Sequence, residues 1–319
     1  MKYLITGGAG FIGSHLVQRL LLEDHEVVVL DDFSTGLRSN LALGTSSQFR
    51  IVDGSILDFD VLRNAAKEVD FIFHLAAAVG VLNIVEHPIQ SLKTNINGTE
   101  NVLEVARERK IPTLCTSSSE VYGKNTSDSL SEGDDRVIGS PAIARWSYIE
   151  AKAIDEFLAL AYHREYGLET RVVRLFNTVG PGQLGSYGMV VPRFISAALE
   201  GADIEIYGTG TQTRCFTHVL DVIDALIAIA ESPKTIGEII NIGNMNEISI
   251  NGLAEKIIAI TNSKSQIVFK EYSEVYDGNF EDMQRRVPNI DKIRRSVGWM
   301  PKRTLEDIIQ DVIEHEKNG

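Results

Sequence analysis

Cysteine is nearly absent: Cys115 and Cys215 are the only two in 319 residues, far apart and each in apolar surroundings. No disulfide framework can be built from them, and a reducing cytoplasm is the expected setting. Long hydrophobic runs are missing as well. Nowhere do about 18 apolar residues follow one another, so no membrane-spanning helix is expected. The stretch Met1–Thr6 runs quickly into glycines and lacks the apolar core of a secretion signal, which points to a soluble intracellular protein. Basic charge is in deficit, with 31 Lys and Arg against 44 Asp and Glu, a net charge of −13. Nucleic acid and anionic membranes both need a basic face, so neither is an expected partner. A small anionic ligand stays open, because a few arginines and helix N-termini can hold one locally. Metal-ligand clusters are lacking too. The seven histidines are scattered, and the one close acidic pairing, Glu314-His315-Glu316, sits in a polar terminal helix, so no metal is expected.

What is present is the makings of a sizeable core. An apolar fraction of 44% is ordinary for a globular chain and rules out disorder as the main state. The length is roughly twice that of a domain of ~150 residues, so one large or two closely coupled domains are expected. Over the first 115 residues two periodicities alternate. Apolar runs of strand length occur at Tyr3–Thr6, Glu26–Leu30, Arg50–Val52, Asp70–Leu75 and Thr113–Thr116. Helical spacing fills most of the gaps, from Ile12 to Leu22, Val61 to Lys67 and Ile89 to Arg109. Continuous apolar strands separated by helices predict an α/β fold with a doubly wound parallel sheet covered on both faces. Further on, the pattern predicts helices near Ser147–Tyr166, Pro192–Glu200 and Asp221–Ala230, with a strand at Thr170–Leu175. The C-terminal part is expected to contribute both to the sheet and to a smaller lobe.

Two local patterns carry chemistry. Gly7-Gly8-Ala9-Gly10-Phe11-Ile12-Gly13 follows the first strand and opens a helix. Glycines there allow a tight turn and a close approach to a pyrophosphate, which the free N–H groups of the helix start favour. The second strand ends in Asp31-Asp32, where an acidic residue about 20 positions on would bind the adenosine ribose 2′-OH. A carboxylate there repels a 2′-phosphate, so NAD is expected rather than NADP. The second pattern is Tyr148-Ile149-Glu150-Ala151-Lys152. Four residues apart on a helix, the phenol and the ammonium share one face. Lysine stabilises phenolate and lowers a pKa of about 10, making Tyr148 a candidate general base.

With these motifs the chain resembles the extended short-chain dehydrogenase/reductase superfamily, in its branch of NAD-dependent nucleotide-sugar epimerases, dehydratases and decarboxylases. The resemblance covers nearly the whole chain. Its further marks are the loop His74-Leu75-Ala76-Ala77 continuing to Val81, Asn95 within Thr94–Thr99, and Ser117–Gly123. Later in the chain come Arg174-Leu175-Phe176-Asn177 and Gly208–Arg214. It implies a Rossmann domain over residues 1–175 with about 212–245, and a nucleotide-sugar-binding lobe from about 176–211 and 246–319. It implies that Gly7, Gly10, Phe11, Ile12, Gly13, Asp31 and Asp32 bind NAD, as do Ser55, Ile56, Leu75, Ala76, Ala77, Asn95, Tyr148 and Lys152. Tyr148 would take the proton of the sugar 4-OH during oxidation at C4, Ser118 would hydrogen-bond the reacting oxygen, and Lys152 would hold the nicotinamide ribose. Asn177, Val191, Tyr207, Gln212, Arg214 and Arg286 would bind the nucleotide sugar, a UDP-sugar above all. The protein would be a homodimer, its helices around Ser91–Glu108 and after Tyr148 forming a four-helix bundle across a two-fold axis. One departure stands out: relatives often read Gly-Asp-Ile after the third strand, and this chain has Gly54-Ser55-Ile56. Adenine would then rely on a main-chain group or on Asp53.

The branch is set by the chemistry after oxidation. A 4,6-dehydratase typically carries an Asp-Glu pair, whereas this chain has Ser118-Ser119-Glu120. Plain 4-epimerases usually have a small apolar residue where Glu120 stands. Arg285-Arg286-Val287-Pro288-Asn289-Ile290 resembles a pattern of UDP-glucuronate decarboxylases. The reading favoured is a UDP-glucuronate decarboxylase that uses Ser118, Ser119 and Glu120. The loop at His74–Val81 and the sequence between Tyr148 and Lys152 instead look like those of epimerases and dehydratases, which remain the alternatives. A non-catalytic NAD-sensing protein would keep the glycine loop but would not need Tyr148, Lys152 and the Ser-Glu pair together.

Overall fold

The computed structural model describes residues 1–42, 47–80, 84, 86–185, 189–275, 281 and 283–318. Val81, at the end of the His74 loop, lies outside them. Seven strands form one sheet: β1 (Lys2–Thr6), β2 (Glu26–Asp31), β3 (Phe49–Asp53), β4 (Phe71–His74), β5 (Thr113–Ser118), β6 (Thr170–Leu175) and β7 (Ile239–Ile242). Their order is β7-β6-β5-β4-β1-β2-β3, and every pairing is parallel. The chain therefore starts in the middle of the sheet, winds outward to β3, then returns and winds the other way from β4. This doubly wound arrangement agrees with the expected fold class. The C-terminal contribution to the sheet is β7.

Helices cover both faces. On one, α1 (Phe11–Leu22) sets Leu16, Val17 and Leu20 against Ile5, Val29 and Phe73. The same face takes α6 (Val219–Glu231), through Val222, Leu226 and Ile229, and α8 (Asp291–Val297), through Ile293. On the other face, α2 (Phe59–Ala65), α3 (Pro88–Arg109) and α4 (Trp146–Tyr166) pack Leu62, Val102 and Ala159 over Leu4, Val28 and Ile72. Alternate strand residues thus serve opposite layers, which is why these strands read as unbroken apolar runs.

A third cluster lies apart from the sheet. It joins α5 (Val190–Glu200), α7 (Ile250–Thr261) and α9 (Leu305–Asn318) through Phe194, Ile195, Leu253, Ile257, Ile309 and Val312. Two short pairings complete this lobe: Ile204–Tyr207 runs parallel to Ile267–Lys270, and Thr213–Cys215 runs antiparallel to Glu247–Ser249. Among the described residues no helix is long and apolar enough to cross a membrane.

Candidate active site

The turn that leaves β1 opens at the point where the strand order reverses. Thr6 faces Leu30 of β2 on one side and His74 of β4 on the other, and ligands of doubly wound sheets bind outside the carboxyl ends at such a point. A cavity of about 760 Å³ begins there and runs across the tips of β4, β5 and β6 to the second lobe. The three glycines divide their work. A Cβ at Gly13 would come within 2.2 Å of the Gly7 carbonyl oxygen, and one at Gly7, where φ is +72°, within 2.6 Å of the Ala76 nitrogen. Both positions need glycine for backbone contact. Gly10 caps α1 from an extended conformation with no side-chain bond, and a Cβ there meets only the Gly7 oxygen, at 3.2 Å. It lines the cavity beside Phe11 and Ile12, leaving the N-terminal amides of α1 open to an anion.

Asp31 closes this end. Burial raises the pKa of its carboxyl, against the bonds it accepts from the N–H groups of Phe33 (2.9 Å) and Ala9 (2.8 Å). The carboxylate is thereby fixed at the cavity wall with further lone pairs to offer. Asp32 also lines the wall, its Oδ1 tied to Ser34. Ile56, Leu75, Ala76 and Ala77 complete the apolar sides. The amide cradle, the anchored carboxylate and the apolar walls together suit a dinucleotide.

At mid-cavity, β5 ends in Ser118, whose hydroxyl accepts the Glu120 N–H at 3.2 Å and caps the short turn Ser119–Tyr122. Tyr148 and Lys152 come from the first turns of α4, and all five residues of the sequence-derived catalytic set line the cavity. Lys152 is 3% exposed and donates to the Thr116 carbonyl at 3.1 Å and to Asp155 Oδ2 at 3.0 Å. The Tyr148 pKa is raised rather than lowered. Burial outweighs the pull of Lys152 and the hydrogen bond from Ser118, and Glu120 and Asp155 add to the rise. The expected stabilisation of phenolate is present, but it is the smaller effect.

Toward the second lobe the cavity becomes cationic. Arg286, 7% exposed, reaches Asn177 Oδ1 at 3.1 Å, Glu120 Oε1 at 3.4 Å and Ser119 Oγ at 3.5 Å. Arg145, 6% exposed, stands 3.5 Å from the same Glu120 oxygen. Two buried guanidiniums therefore stand against one carboxylate oxygen at the cavity wall. Asn177 holds its place through a bond to the Cys215 carbonyl, 2.9 Å, and sits at φ +26°, a strained backbone at the junction between sheet and lobe. Val191, Tyr207, Gln212 and Arg214 line the far end, with the Gln212 amide bonded to the Tyr207 carbonyl at 3.1 Å.

Three residues read from the sequence are not on the cavity wall. Asn95 is buried and grips both backbone groups of Ala78, accepting at 2.7 Å and donating at 3.3 Å, so it fixes the lining loop from behind. Ser55 accepts the Leu57 N–H, while its neighbours Gly54 and Ile56 form the wall. Asp53 pairs with Arg38 and is not on the wall. Sequence reasoning missed Arg145 and Asp155. Both stand within four residues of the Tyr-Lys pair, but charge alone gives no sign that a residue is buried.

Comparison with known proteins agrees with this arrangement. Residues 3–243 match the NAD dependent epimerase/dehydratase family. A UDP-N-acetyl-alpha-D-glucosaminuronate decarboxylase of Bacillus cytotoxicus is 41% identical over 98% of this chain and 97% of its own length. UDP-glucuronic acid decarboxylase 1 of Xenopus tropicalis is 38% identical over all of this chain and 74% of its own. Among solved structures, a UDP-glucuronic acid 4-epimerase from Bacillus cereus, in complex with UDP-glucuronic acid and NAD, superposes with a TM-score of 0.89 at 30% identity, covering 100% of this chain and 99% of the other.

Proposed function

Because the chain belongs to the NAD dependent epimerase/dehydratase family, we propose that it is an NAD-dependent enzyme that decarboxylates a UDP-hexuronate, UDP-glucuronate or its 2-acetamido counterpart. The observation that carries this reading is the pair of buried guanidiniums, Arg145 and Arg286, that share Glu120 beside Ser118 and Tyr148. Both guanidiniums line the cavity, where they can donate charge-assisted hydrogen bonds to a sugar carboxylate that a neutral hexose lacks.

NAD, when bound, supplies the oxidation at sugar C4 and its reversal. The α1 amides with Gly10 hold the pyrophosphate and Asp31 the adenosine ribose. Tyr148 takes the proton of the 4-OH, Ser118 hydrogen-bonds the same oxygen, and Lys152 orients the ribose. Once C4 is a ketone, the C6 carboxylate is a β-keto acid. The C5–C6 bond breaks, CO2 leaves, and the electron pair moves toward the C4 oxygen, where Ser118 and Tyr148 meet it. C5, which has kept its own hydrogen, then takes a proton from water in place of the lost carboxylate. Arg286 and Arg145 hold the carboxylate in place until that bond breaks, with Glu120 keeping the two cations ordered beforehand. Asn177, Gln212 and Arg214 hold the nucleotide diphosphate.

The domain division is drawn between the sheet and the third apolar cluster. Gln212–Phe216 goes with the lobe, because Thr213–Cys215 pairs with Glu247–Ser249 and Phe216 packs in that cluster. On α4, Phe157 is 64% exposed and Ile154 39%, beside the contact with α3. A second copy covers this face in an isologous dimer. The two buried cysteines suit the cytoplasm.

The test is incubation with UDP-glucuronate, UDP-N-acetylglucosaminuronate and UDP-glucose separately, with products identified by mass and NMR. A product lighter by CO2 from either acid supports the reading. A product of unchanged mass, inverted at C4, would replace it with the 4-epimerase reading.

A further inference from the structure

Tyr148, Lys152 and Asp155 fall on one face of α4, and below them lies a run of polar groups that the decarboxylation does not use. Asp155 is 2% exposed and Lys152 3%, so both charges have been taken out of water at a cost that a simple apolar pair would avoid. An ammonium has three N–H donors. Two are committed, one to the Thr116 carbonyl at the end of β5 and one to Asp155 Oδ2. The third is left for the cavity, where Tyr148 stands. Without the carboxylate, the flexible lysine would have a single fixed bond and several rotamers within reach of the cavity.

We propose that Asp155 is a positioning residue, holding the Lys152 ammonium against the Thr116 carbonyl so that its remaining N–H faces Tyr148 and the cofactor ribose. The inference rests on the reading of Tyr148 as the base.

The surroundings make Asp155 the partner that sets the charge here. Cys115, on β5, has its thiol pushed up to about 12 by burial and stays neutral. His74, on β4, is driven down to about 3 by burial and by Lys152, so its ring is neutral between the Thr6 hydroxyl (2.8 Å) and the Thr99 hydroxyl (3.0 Å). Burial raises the Asp155 pKa, against the pull of Lys152 and, more weakly, of Thr99 on α3. Glu156 is engaged with Arg174 and Ser117, and Glu120 with the two arginines. For Lys152, burial acts downward, but Asp155 and Tyr148 reverse it and the net shift is up, so the ammonium remains charged. The same carboxylate raises the Tyr148 pKa.

Replacing Asp155 by Asn keeps the shape, removes the negative charge and loosens the lysine. With the carboxylate gone, the phenol loses a group that raises its pKa. It also loses Lys152, the larger influence and of opposite sign, once that side chain is no longer held beside it. The acid limb of the kcat profile should therefore move up. On the plateau, kcat should fall about tenfold with KM within about twofold, since positioning is lost but not substrate contact. Thermal melting shows whether Asp155→Asn folds. If it does not, Thr99→Val, which removes one support of the carboxylate's charge, should give a smaller shift in the same direction. An acid limb that stays put or moves down in a folded variant overturns the proposal, whatever happens to kcat, because Lys152 has then kept its place without the carboxylate. Tyr148→Phe run in parallel keeps the two readings apart. If that variant turns over normally, the base assignment has failed; if it is inactive while the Asp155→Asn limb is unmoved, only the positioning role has.

Discussion

Replacing Arg286 by alanine separates recognition of the sugar acid from recognition of the diphosphate. Its guanidinium reaches Asn177, Glu120 and Ser119 at 3.1, 3.4 and 3.5 Å. All three distances exceed the roughly 2.7–2.9 Å of a strong charge-assisted bond, so these contacts can yield to a carboxylate that approaches more closely. Losing the side chain costs its neighbours little: Asn177 keeps its bond to the Cys215 carbonyl, and Glu120 keeps Arg145. A hydrogen bond to a charged group contributes about 1.5–3 kcal/mol, and each 1.4 kcal/mol is about tenfold. The variant should therefore lose roughly ten- to a hundred-fold in kcat/KM for the UDP-hexuronate. Arg286→Lys should recover part of this, since it restores the charge but not the planar fork. The assay follows product by mass and, in parallel, measures UDP-glucose as a competing ligand. Its inhibition constant should stay within about twofold. If the affinity for neutral UDP-glucose falls by the same factor, Arg286 is a diphosphate contact and the argument from paired guanidiniums fails.

Tyr148→Phe keeps the ring and its packing but removes the proton acceptor, and should lower turnover of every substrate by about 10²–10⁴-fold. Near-full activity would refute the mechanism. Glu120→Gln removes the charge that orders the two arginines and should reduce product formation from the sugar acid; unimpaired turnover would point to a plain epimerase. Asp31→Ala removes the acceptor of the Ala9 and Phe33 amides as well as the ribose partner. NAD affinity, measured by fluorescence titration, should fall by roughly tenfold or more with a lower melting temperature, and unchanged affinity would displace Asp31 from the cofactor site. Phe157→Asp places a charge on the exposed face of α4 and should turn a dimer into a monomer by light scattering; a wild-type monomer at micromolar concentration would remove the dimer reading altogether.

The central strands were legible because they are buried on both faces. Runs such as Val27-Val28-Val29-Leu30 have no polar side to blur them, and β1, β2 and β6 were read to within a residue at either end. Helices were read where apolar spacing persisted over several turns, as in Ile89–Arg109, observed as α3. The lobe was harder. Its pairings, Thr213–Cys215 with Glu247–Ser249 and Ile204–Tyr207 with Ile267–Lys270, are three or four residues long and join segments distant in sequence, so no local period announces them. At the site, glycines and the Tyr-Lys spacing could be read because the chain itself fixes their geometry. The layer beneath could not be read. Asn95 was placed against the cofactor on its resemblance to a family motif, yet its amide faces the backbone of Ala78 instead. Arg145 and Asp155 look like solvent-facing charges in the sequence, yet the fold buries both. A sequence shows which groups can react, whereas the burial that decides their charge comes from elements far away in the chain. That is why the sign of the Tyr148 shift, raised by burial against the pull of its own helix neighbour, came from the fold and not from the Tyr-x-x-x-Lys spacing.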